Sequence, residues 1–320
     1  MKTVLITGGT GLIGRQLASQ LHTKGYRVTL LSRTPKAHAE FTTYGWNHDT
    51  GFIDVQAIAE ADYIIHMAGA NIGEKRWTPK RQQELVDSRV RSGELLYHAL
   101  KTEPHHVKAF ISASAIGYYG AQTTETIFTE TDPPATDLLG ETCRKWEQVG
   151  EQIATLGIRT VLLRTGVVLA PNEGALAKLR IPVALGFGSV LGSGNQYVPW
   201  IHHDDICGMY LKALEDATMH GAYNAVAPTH TTNYELTKTL ANVLHKPFWF
   251  PRVPAFALRL LLGDMANMLL EGSRVSCQKI SDAGYHFQFP ELEAALKTLL
   301  RKKDKNVCVL EKRNTFVGNK

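Results

Sequence analysis

Residues 2–14 read KTVLITGGTGLIG, and this stretch decides the fold. Its first half, KTVLIT, is a continuous apolar and β-branched run, the pattern of a parallel strand covered on both faces. The glycines that follow, Gly8, Gly11 and Gly14, have the spacing G-x-x-G-x-x-G. Gly8 permits a tight turn, Gly11 lets a pyrophosphate approach the main chain, and Gly14 lets helix and strand pack closely. A helix from about Leu12 to Lys24 starts here, and its first turn offers unpaired N–H groups and a partial positive charge to an anion. Gly8, Thr10, Gly11, Leu12, Ile13 and Gly14 are therefore the candidate phosphate cradle.

Gly25 ends the helix and YRVTLLS (26–32) supplies a second buried strand. Strand, helix and strand thus fit within about 30 residues, as a right-handed βαβ unit requires. Further apolar strands read at 62–67 (DYIIHM), 108–113 (KAFISA) and 158–165 (IRTVLLRT), with helical patterns over 78–102 and 138–157. This alternation predicts an α/β chain built on a Rossmann-type doubly wound parallel sheet. After Leu169 come the Gly-rich stretch ALGFGSVLGSGNQYVPWIHHDD, a helix to about Glu215, a last sheet strand at 222–226 and mainly helices to Leu300. The expected division is a nucleotide-binding domain of 1–171 and 202–227, a smaller, mainly helical substrate lobe of 172–201 and 228–300, and a basic tail of 301–320.

With 44% hydrophobic and 20% charged residues among 320, the chain is ordinary globular material. Its formal charge of +5 comes entirely from 301–320, which holds seven basic and two acidic residues. The remaining 300 residues are neutral and have no basic excess to pair with nucleic acid. The tail lacks periodicity and reads as a solvated, mobile end, the alternative being an arm for an anionic partner. Cys143, Cys207, Cys277 and Cys308 form no CxxC, so reduced thiols in a cytoplasmic protein are expected. The first apolar run enters a glycine turn with no small-residue cleavage site and is not read as a signal peptide. Arg259 and Asp264 interrupt the longest later apolar stretch, so neither a membrane span nor a membrane partner is expected. A small molecule is the expected partner, with a homodimer left open.

NAD-specific sites place an acid at the end of the second strand to bind the ribose hydroxyls. Here that place holds Ser32 and Arg33. A guanidinium clamps a 2′-phosphate bidentately and stacks on adenine, so NADP is favoured over NAD. The alternative is a surface arginine without a ligand.

Together, the glycine signature, HMAGA (66–70) and the serine-bearing ISASAIGYYG (111–120) resemble the extended short-chain dehydrogenase/reductase superfamily, which includes nucleotide-sugar epimerases and dehydratases. A closer likeness is to an uncharacterised epimerase-like subgroup with a C-terminal domain of unknown function. It is carried by RWT (76–78), SRV (88–90), RTGVVL (164–169), GSGNQYVPWIHHDD (192–205) and the segment from PFWFPRVPAF to PELEAAL. The resemblance implies cofactor contacts from Met67, Ala68 and Gly69, from Glu84 and Arg89, and from Leu169. Arg89 also has an argument of its own, since a helix leaving that strand end faces the nicotinamide side; the alternative is a guanidinium whose stem merely covers its helical neighbours.

Standard members of that superfamily pair a strand serine with a YxxxK helix, in which tyrosine exchanges the proton and lysine lowers its pKa. Ser114 supplies the serine, but the helix reads DLLGETCRKWE, with Leu139 and Cys143 in the two places. The strings Tyr97 to Lys101 and Tyr234 to Lys238 read as coincidental surface helices. Tyr118 or Tyr119, close after Ser114, is the candidate substitute, the alternative being aromatics packed beside the pocket. Gln196 and Tyr197 lie in a loop that could fold over a ligand, and Trp200 could wall the pocket, the alternative being a rigid loop with a buried tryptophan. His105-His106 and His202-His203 lack thiolate neighbours, so no metal is expected; His202 and Asp205 read as fixing a loop, with Asp205 near a helix N-cap. Two functions follow: an NADP-dependent oxidoreductase or epimerase acting on a small polar, sugar-like substrate, or a catalytically silent NADP-binding or redox-sensing protein.

Overall fold

The computed structural model describes residues 1–35 and 40–301; of the expected tail at 301–320 only Arg301 lies within them. The chain begins with β1 (Thr3–Thr7), buried throughout, which passes through the glycine turn into α1 (Leu12–Thr23). There follow β2 (Arg27–Ser32), β3 (Thr42–Asn47), β4 (Phe52–Ile53), α2 (Val55–Ala59) and β5 (Tyr63–His66). Helix α3 (Pro79–Thr102) opens on Thr78, whose hydroxyl accepts the Arg81 N–H, with proline at the first position. β6 (Ala109–Ala115) continues into a 3-10 turn at Ile116–Tyr119, and β7 (Ile127–Phe128) leads to α4 (Leu138–Ala154), capped by the Asp137 carboxylate. β8 (Arg159–Thr165), β9 (Val167–Ala170), α5 (Gly174–Ala184), β10 (Trp200–His202), α6 (His203–Glu215) and β11 (Gly221–Ala225) come next. The rest is α7 (Asn233–Val243), begun by a Thr232–Glu235 capping box, then α8 (Ala255–Leu262), α9 (Asn267–Leu270), β12 (Arg274–Val275), α10 (Gln278–Asp282) and α11 (Leu292–Leu300).

Eight strands form one sheet in the order β11-β8-β6-β5-β1-β2-β3-β4, parallel except for the β3–β4 edge pair. The doubly wound Rossmann-type sheet expected from the glycine turn is present. Both of its faces are covered, which is why its central strands read as unbroken apolar runs. Val4 and Ile6 face Leu17 and Leu21 of α1 and Met209 and Tyr210 of α6. Leu5, Ile64 and Phe110 face Leu96 and Leu100 of α3 and Ile153 of α4. A third cluster joins Leu169, Leu176, Trp200, Leu236, Leu240 and Leu296.

The sequence reading missed β3 and the edge strand β4. TTYGWN alternates in burial and contains a glycine, so it lacks the continuous apolar signal of the central strands. It also missed two small parallel pairs, β9–β10 and β7–β12. At the start of α6, His202 is the cap, accepting the Asp204 N–H at 3.1 Å, and Asp205 lies close to it in the first turn. Fully buried there, the Asp205 carboxylate accepts the Gln288 and Phe289 N–H groups at 2.8 and 3.0 Å and the Tyr285 hydroxyl at 3.0 Å. It fastens the C-terminal segment to the start of α6.

Register aligns the functional edge. Thr7 pairs with Leu31 and His66, His66 pairs with Ser112, and Ser114 pairs with Arg164. The glycine turn and Ser114 therefore sit at the same, carboxyl end of the sheet, where ligands bind in open α/β sheets. A depression of about 450 Å³ lined by Lys24, Leu211, Lys212 and Glu215 lies beyond the C-terminus of α1, at the opposite end.

His66 joins the strand ends. Its Nδ1 lies 2.8 Å from the Thr7 hydroxyl and its Nε2 3.4 Å from that of Ser92, between Trp46 and Phe110. Full burial pushes its pKa down to about 4. An unfolded imidazole takes its proton near pH 6.5, so stability is complete above that pH and falls as the pH drops from there toward 4. The loss due to His66 between pH 7.5 and pH 5 is expected to be about 2 kcal/mol. Urea unfolding at the two pH values checks this, and a His66→Gln variant that retained the full wild-type drop would contradict it.

Candidate cofactor and active site

At the glycine turn the backbone leaves no room for side chains. Gly8 has φ +72°, and a Cβ there would lie 2.8 Å from the Met67 carbonyl group. At Gly14 a Cβ would lie 2.3 Å from the Gly8 oxygen, a clash of backbone on backbone. Gly11 caps α1 without any side-chain hydrogen bond, and the first turn contains no acid. Thr10 and Gly11 are exposed, Leu12 and Ile13 half-buried, and Gly14 buried. Beside them the Thr7 hydroxyl accepts the Met67 and Ala68 N–H groups at 3.1 and 3.2 Å, which draws the β5 end against the turn. Main-chain donors with no side-chain acceptor at a helix start fit a dinucleotide pyrophosphate.

Ser32 ends β2, its hydroxyl accepting the Thr34 N–H at 3.2 Å. Arg33 is exposed and has no hydrogen-bond or ion-pair partner among the described residues. Glu84 is exposed on α3 and paired with Arg81 at 2.7 Å. Arg89 donates to the carbonyls of Leu85 and Ala70 at 2.9 and 3.2 Å, with its guanidinium 5.2 Å over the Trp146 ring and against Gly69. It thus braces the strand end with bonds to protein carbonyls. Leu169 is fully buried in β9, which leaves its main chain for the contact the resemblance implies.

A buried polar network stands under the β6 end. The Ser114 hydroxyl donates to Glu147 Oε1 at 2.6 Å, and Arg164 grips the same carboxylate through Nε at 2.9 Å and Nη2 at 2.8 Å. Arg164 Nη1 donates to the Tyr119 hydroxyl at 2.9 Å, which donates to Asn224 Oδ1 at 2.7 Å. The Arg164 guanidinium lies 3.5 Å over the Tyr118 ring. Burial alone would lower the Arg164 pKa, but its bonds to Glu147 outweigh that and raise it. The bidentate geometry is what makes this buried pair tolerable.

The two tyrosines differ. Tyr119 is buried with its hydroxyl engaged on both sides and stacks on Phe128, and burial pushes its pKa up to about 12. That corrects the expectation for Tyr119: it packs and does not reach a ligand. Tyr118 is half-buried, and burial raises its pKa against the opposing Arg164 charge. The face of α4 carrying Leu139 and Cys143 packs on the 3-10 turn, with a Cβ at Gly117 falling 3.3 Å from Leu139 and 3.7 Å from Cys143. Burial, then Glu147, pushes the Cys143 pKa up to about 12, so it is an inert thiol at neutral pH. Lys101 and Lys238 lie exposed over the rings of Tyr97 and Tyr234, at 5.8 and 5.6 Å.

Gln196 and Trp200 are also corrected as pocket-lining side chains. Gln196 is buried and donates to the Leu191 and Leu269 carbonyls at 2.9 and 2.7 Å, and Trp200 Nε1 donates to Thr231 at 3.1 Å. Both pin the loop from within. Tyr197 stays half-exposed beside Arg274. His202, His203 and Asp204 bring potential ligand atoms within 4.8 Å of one another. Their facing atoms are already used: His202 Nδ1 takes the Asp204 N–H, while His203 Nδ1 and the Asp204 carboxylate both bond Gln16 of α1.

Sequence reasoning passed over Glu147 and Arg164. The signal was available: an arginine inside the apolar run TVLLRT, and an acid one turn after Cys143 on the buried stripe of α4. Glu147→Met leaves Arg164 buried without a counter-charge and is expected to cost about 3–5 kcal/mol. Adding Arg164→Met should recover part of that loss, since no charge is then left unpaired. Urea unfolding of both variants checks this; losses that simply add would contradict it.

Comparison with known proteins agrees with this architecture. The model of the NAD dependent epimerase/dehydratase family matches residues 4–225, and that of a domain of unknown function, DUF1731, matches residues 253–299. The epimerase family protein YfhF of Bacillus subtilis is 33% identical over 298 residues, 93% of this chain and 97% of that protein. Among solved structures, human epimerase family protein SDR39U1 with NADPH superposes with a TM-score of 0.82 at 34% identity, covering 93% of this chain and 98% of that one. A nucleoside-diphosphate sugar epimerase from Corynebacterium glutamicum gives 0.76 at 27% identity, with 98% of this chain and 61% of that one covered. With a carboxyl-end glycine cradle, a serine-bearing strand and relatives matched along nearly their whole length, the chain belongs to the NAD-dependent epimerase/dehydratase family.

Proposed function

We propose that the protein binds NADP(H) in preference to NAD(H) and acts as an oxidoreductase or epimerase on a small polar, sugar-like substrate without a YxxxK pair. The observation that carries the cofactor choice is the β2 end, where Arg33 stands exposed and no carboxylate is present at Ser32, Arg33 or Thr34. The 34% identical human relative solved with NADPH supports it. The glycine turn would hold the pyrophosphate, Ser32 and Arg33 the 2′-phosphate, and the main chain at Met67, Ala68 and Gly69 the nicotinamide side. When bound, the cofactor supplies a hydride donor or acceptor. Residues 1–171 and 202–227 would serve as the cofactor domain, and 172–201 and 228–300 as the substrate lobe. Arg33→Ala is expected to weaken NADP binding at least about tenfold and to leave NAD binding nearly unchanged. Titration of the wild type with both cofactors checks the premise, and equal affinities would end the claim.

For proton transfer, Ser114 and Tyr118 are the proposed pair. Burial keeps the Tyr118 phenol protonated at neutral pH, so it has a proton to give to a developing alkoxide. Ser114, buried and held by Glu147 at the strand end, would supply the neighbouring hydroxyl. Tyr119, Lys101 and Lys238 have no part in it. One observation favours the second reading, a catalytically silent binder: the Ser114 proton is already committed to Glu147, and α4 carries neither tyrosine nor lysine on the face against the 3-10 turn. The two readings separate when NADPH-loaded protein is incubated with a carbonyl library and nicotinamide absorbance is followed. An enzyme should lose about 10²- to 10⁴-fold in turnover on Tyr118→Phe or Ser114→Ala. No oxidation across the library would favour the binder.

A further inference from the structure

Two segments outside the sheet, 185–192 and 249–261, expose apolar side chains that neither the sheet nor the cofactor cradle uses. Leu185, Phe187, Trp249, Phe256, Leu260 and Leu261 are each between 54% and 79% exposed. They come from two segments joined as one surface. Val253 N–H donates to Val190 at 2.8 Å and Gly192 N–H to Val253 at 2.9 Å, while Phe250 packs edge-on to both Phe187 and Trp249. Within α8 only Leu258 is buried, so most of that helix presents leucine and phenylalanine to solvent. Exposed apolar patches of this kind on soluble proteins mark interaction sites.

Charge identifies the occupant. Residues 174–190 and 246–263 contain Lys178, Arg180, Lys246, Arg252 and Arg259 and no acid at all. The acids that border them are engaged, Glu173 with Arg15 and Asp264 with Gln82. Tryptophan, phenylalanine and leucine interspersed with basic residues, without carboxylates, is the composition that lies in the interface of an anionic bilayer. No described helix is long and apolar enough to cross a membrane, so the contact is in the plane of the surface.

We propose that this surface docks the protein peripherally on an anionic phospholipid bilayer, with α8 and the Leu185–Phe187 turn seated among the headgroups. The docked face adjoins the cofactor edge: Lys178 of α5 donates to the Gly73 carbonyl, and the Arg76 guanidinium lies against Gly263 at the end of α8. The loop after β5 thus connects the docking surface to the cleft. This departs from the expectation of no membrane partner, which rested on the lack of a span.

The test is co-sedimentation of the full chain with vesicles of phosphatidylcholine alone and of phosphatidylcholine mixed with phosphatidylglycerol. The wild type is expected to pellet with the anionic vesicles, less so at high salt, and weakly with phosphatidylcholine. Leu260→Glu with Leu261→Glu should reduce binding at least about tenfold, and Arg252→Gln with Arg259→Gln roughly 5- to 30-fold. Circular dichroism melting confirms that each variant is folded; all four side chains are solvent-exposed, so wild-type melting is expected. A wild type that stays in the supernatant, or folded variants that bind as well as it does, would overturn the proposal. So would a dimer in gel filtration that Leu260→Glu with Leu261→Glu splits while vesicle binding is absent, since the patch would then face a second copy.

Discussion

The Glu147–Arg164 pair governs the carboxyl end of the sheet. It is buried between α4 and β8, and its remaining bonds reach Ser114 on β6, Tyr119 in the 3-10 turn, the Glu130 carbonyl and, through Tyr119, Asn224 on β11. Two charges removed from water are costly unless each lone pair and proton is matched. Here both carboxylate oxygens and all three guanidinium nitrogens have partners. The network is therefore cooperative in position: moving any one of these elements leaves a buried charged or polar group without its bond. That holds the serine strand, the aromatic turn and the α4 face in one arrangement, whatever occupies the cleft.

The cofactor edge is held differently, by exclusion of side chains. At Gly8 and Gly14 the space that a Cβ would take belongs to backbone atoms of the β5 end and of the turn itself. Thr7 then ties the Met67 and Ala68 amides to β1, and Ser88 accepts the Ala70 N–H at 2.9 Å. Such a surface offers main-chain donors in fixed positions, which suits phosphate and ribose contacts and leaves chemistry to neighbouring side chains. α4 carries neither tyrosine nor lysine on the face against the 3-10 turn, so the polar side chains at that strand end are Ser114, bound to Glu147, and the half-buried Tyr118.

Much of this was legible in the sequence. KTVLITGGTGLIG read correctly as strand, turn and helix because each glycine answers a local backbone demand and the apolar run is covered on both sides. β2, β5, β6 and β8 read for the same reason. β3 and β4 did not, since β3 is buried on alternate residues only and β4 is a two-residue edge strand whose pairing is decided by its neighbour. Ser32 and Arg33 were read by counting from the end of the second strand and Ser114 from the likeness of ISASAIGYYG to a serine-bearing strand; the structure puts Ser32 and Ser114 at the carboxyl ends of β2 and β6.

What only the tertiary structure decided is which polar side chains face a ligand and which face one another. Gln196, Trp200 and Tyr119 have residue types and surroundings that suit a pocket, yet each closes its bonds inside the protein with a partner 31 to 105 positions away. Residue identity states what a side chain can donate or accept. Its partner depends on how separate elements pack, because an unpaired buried polar group is too costly to leave, and packing is settled by the whole apolar core at once.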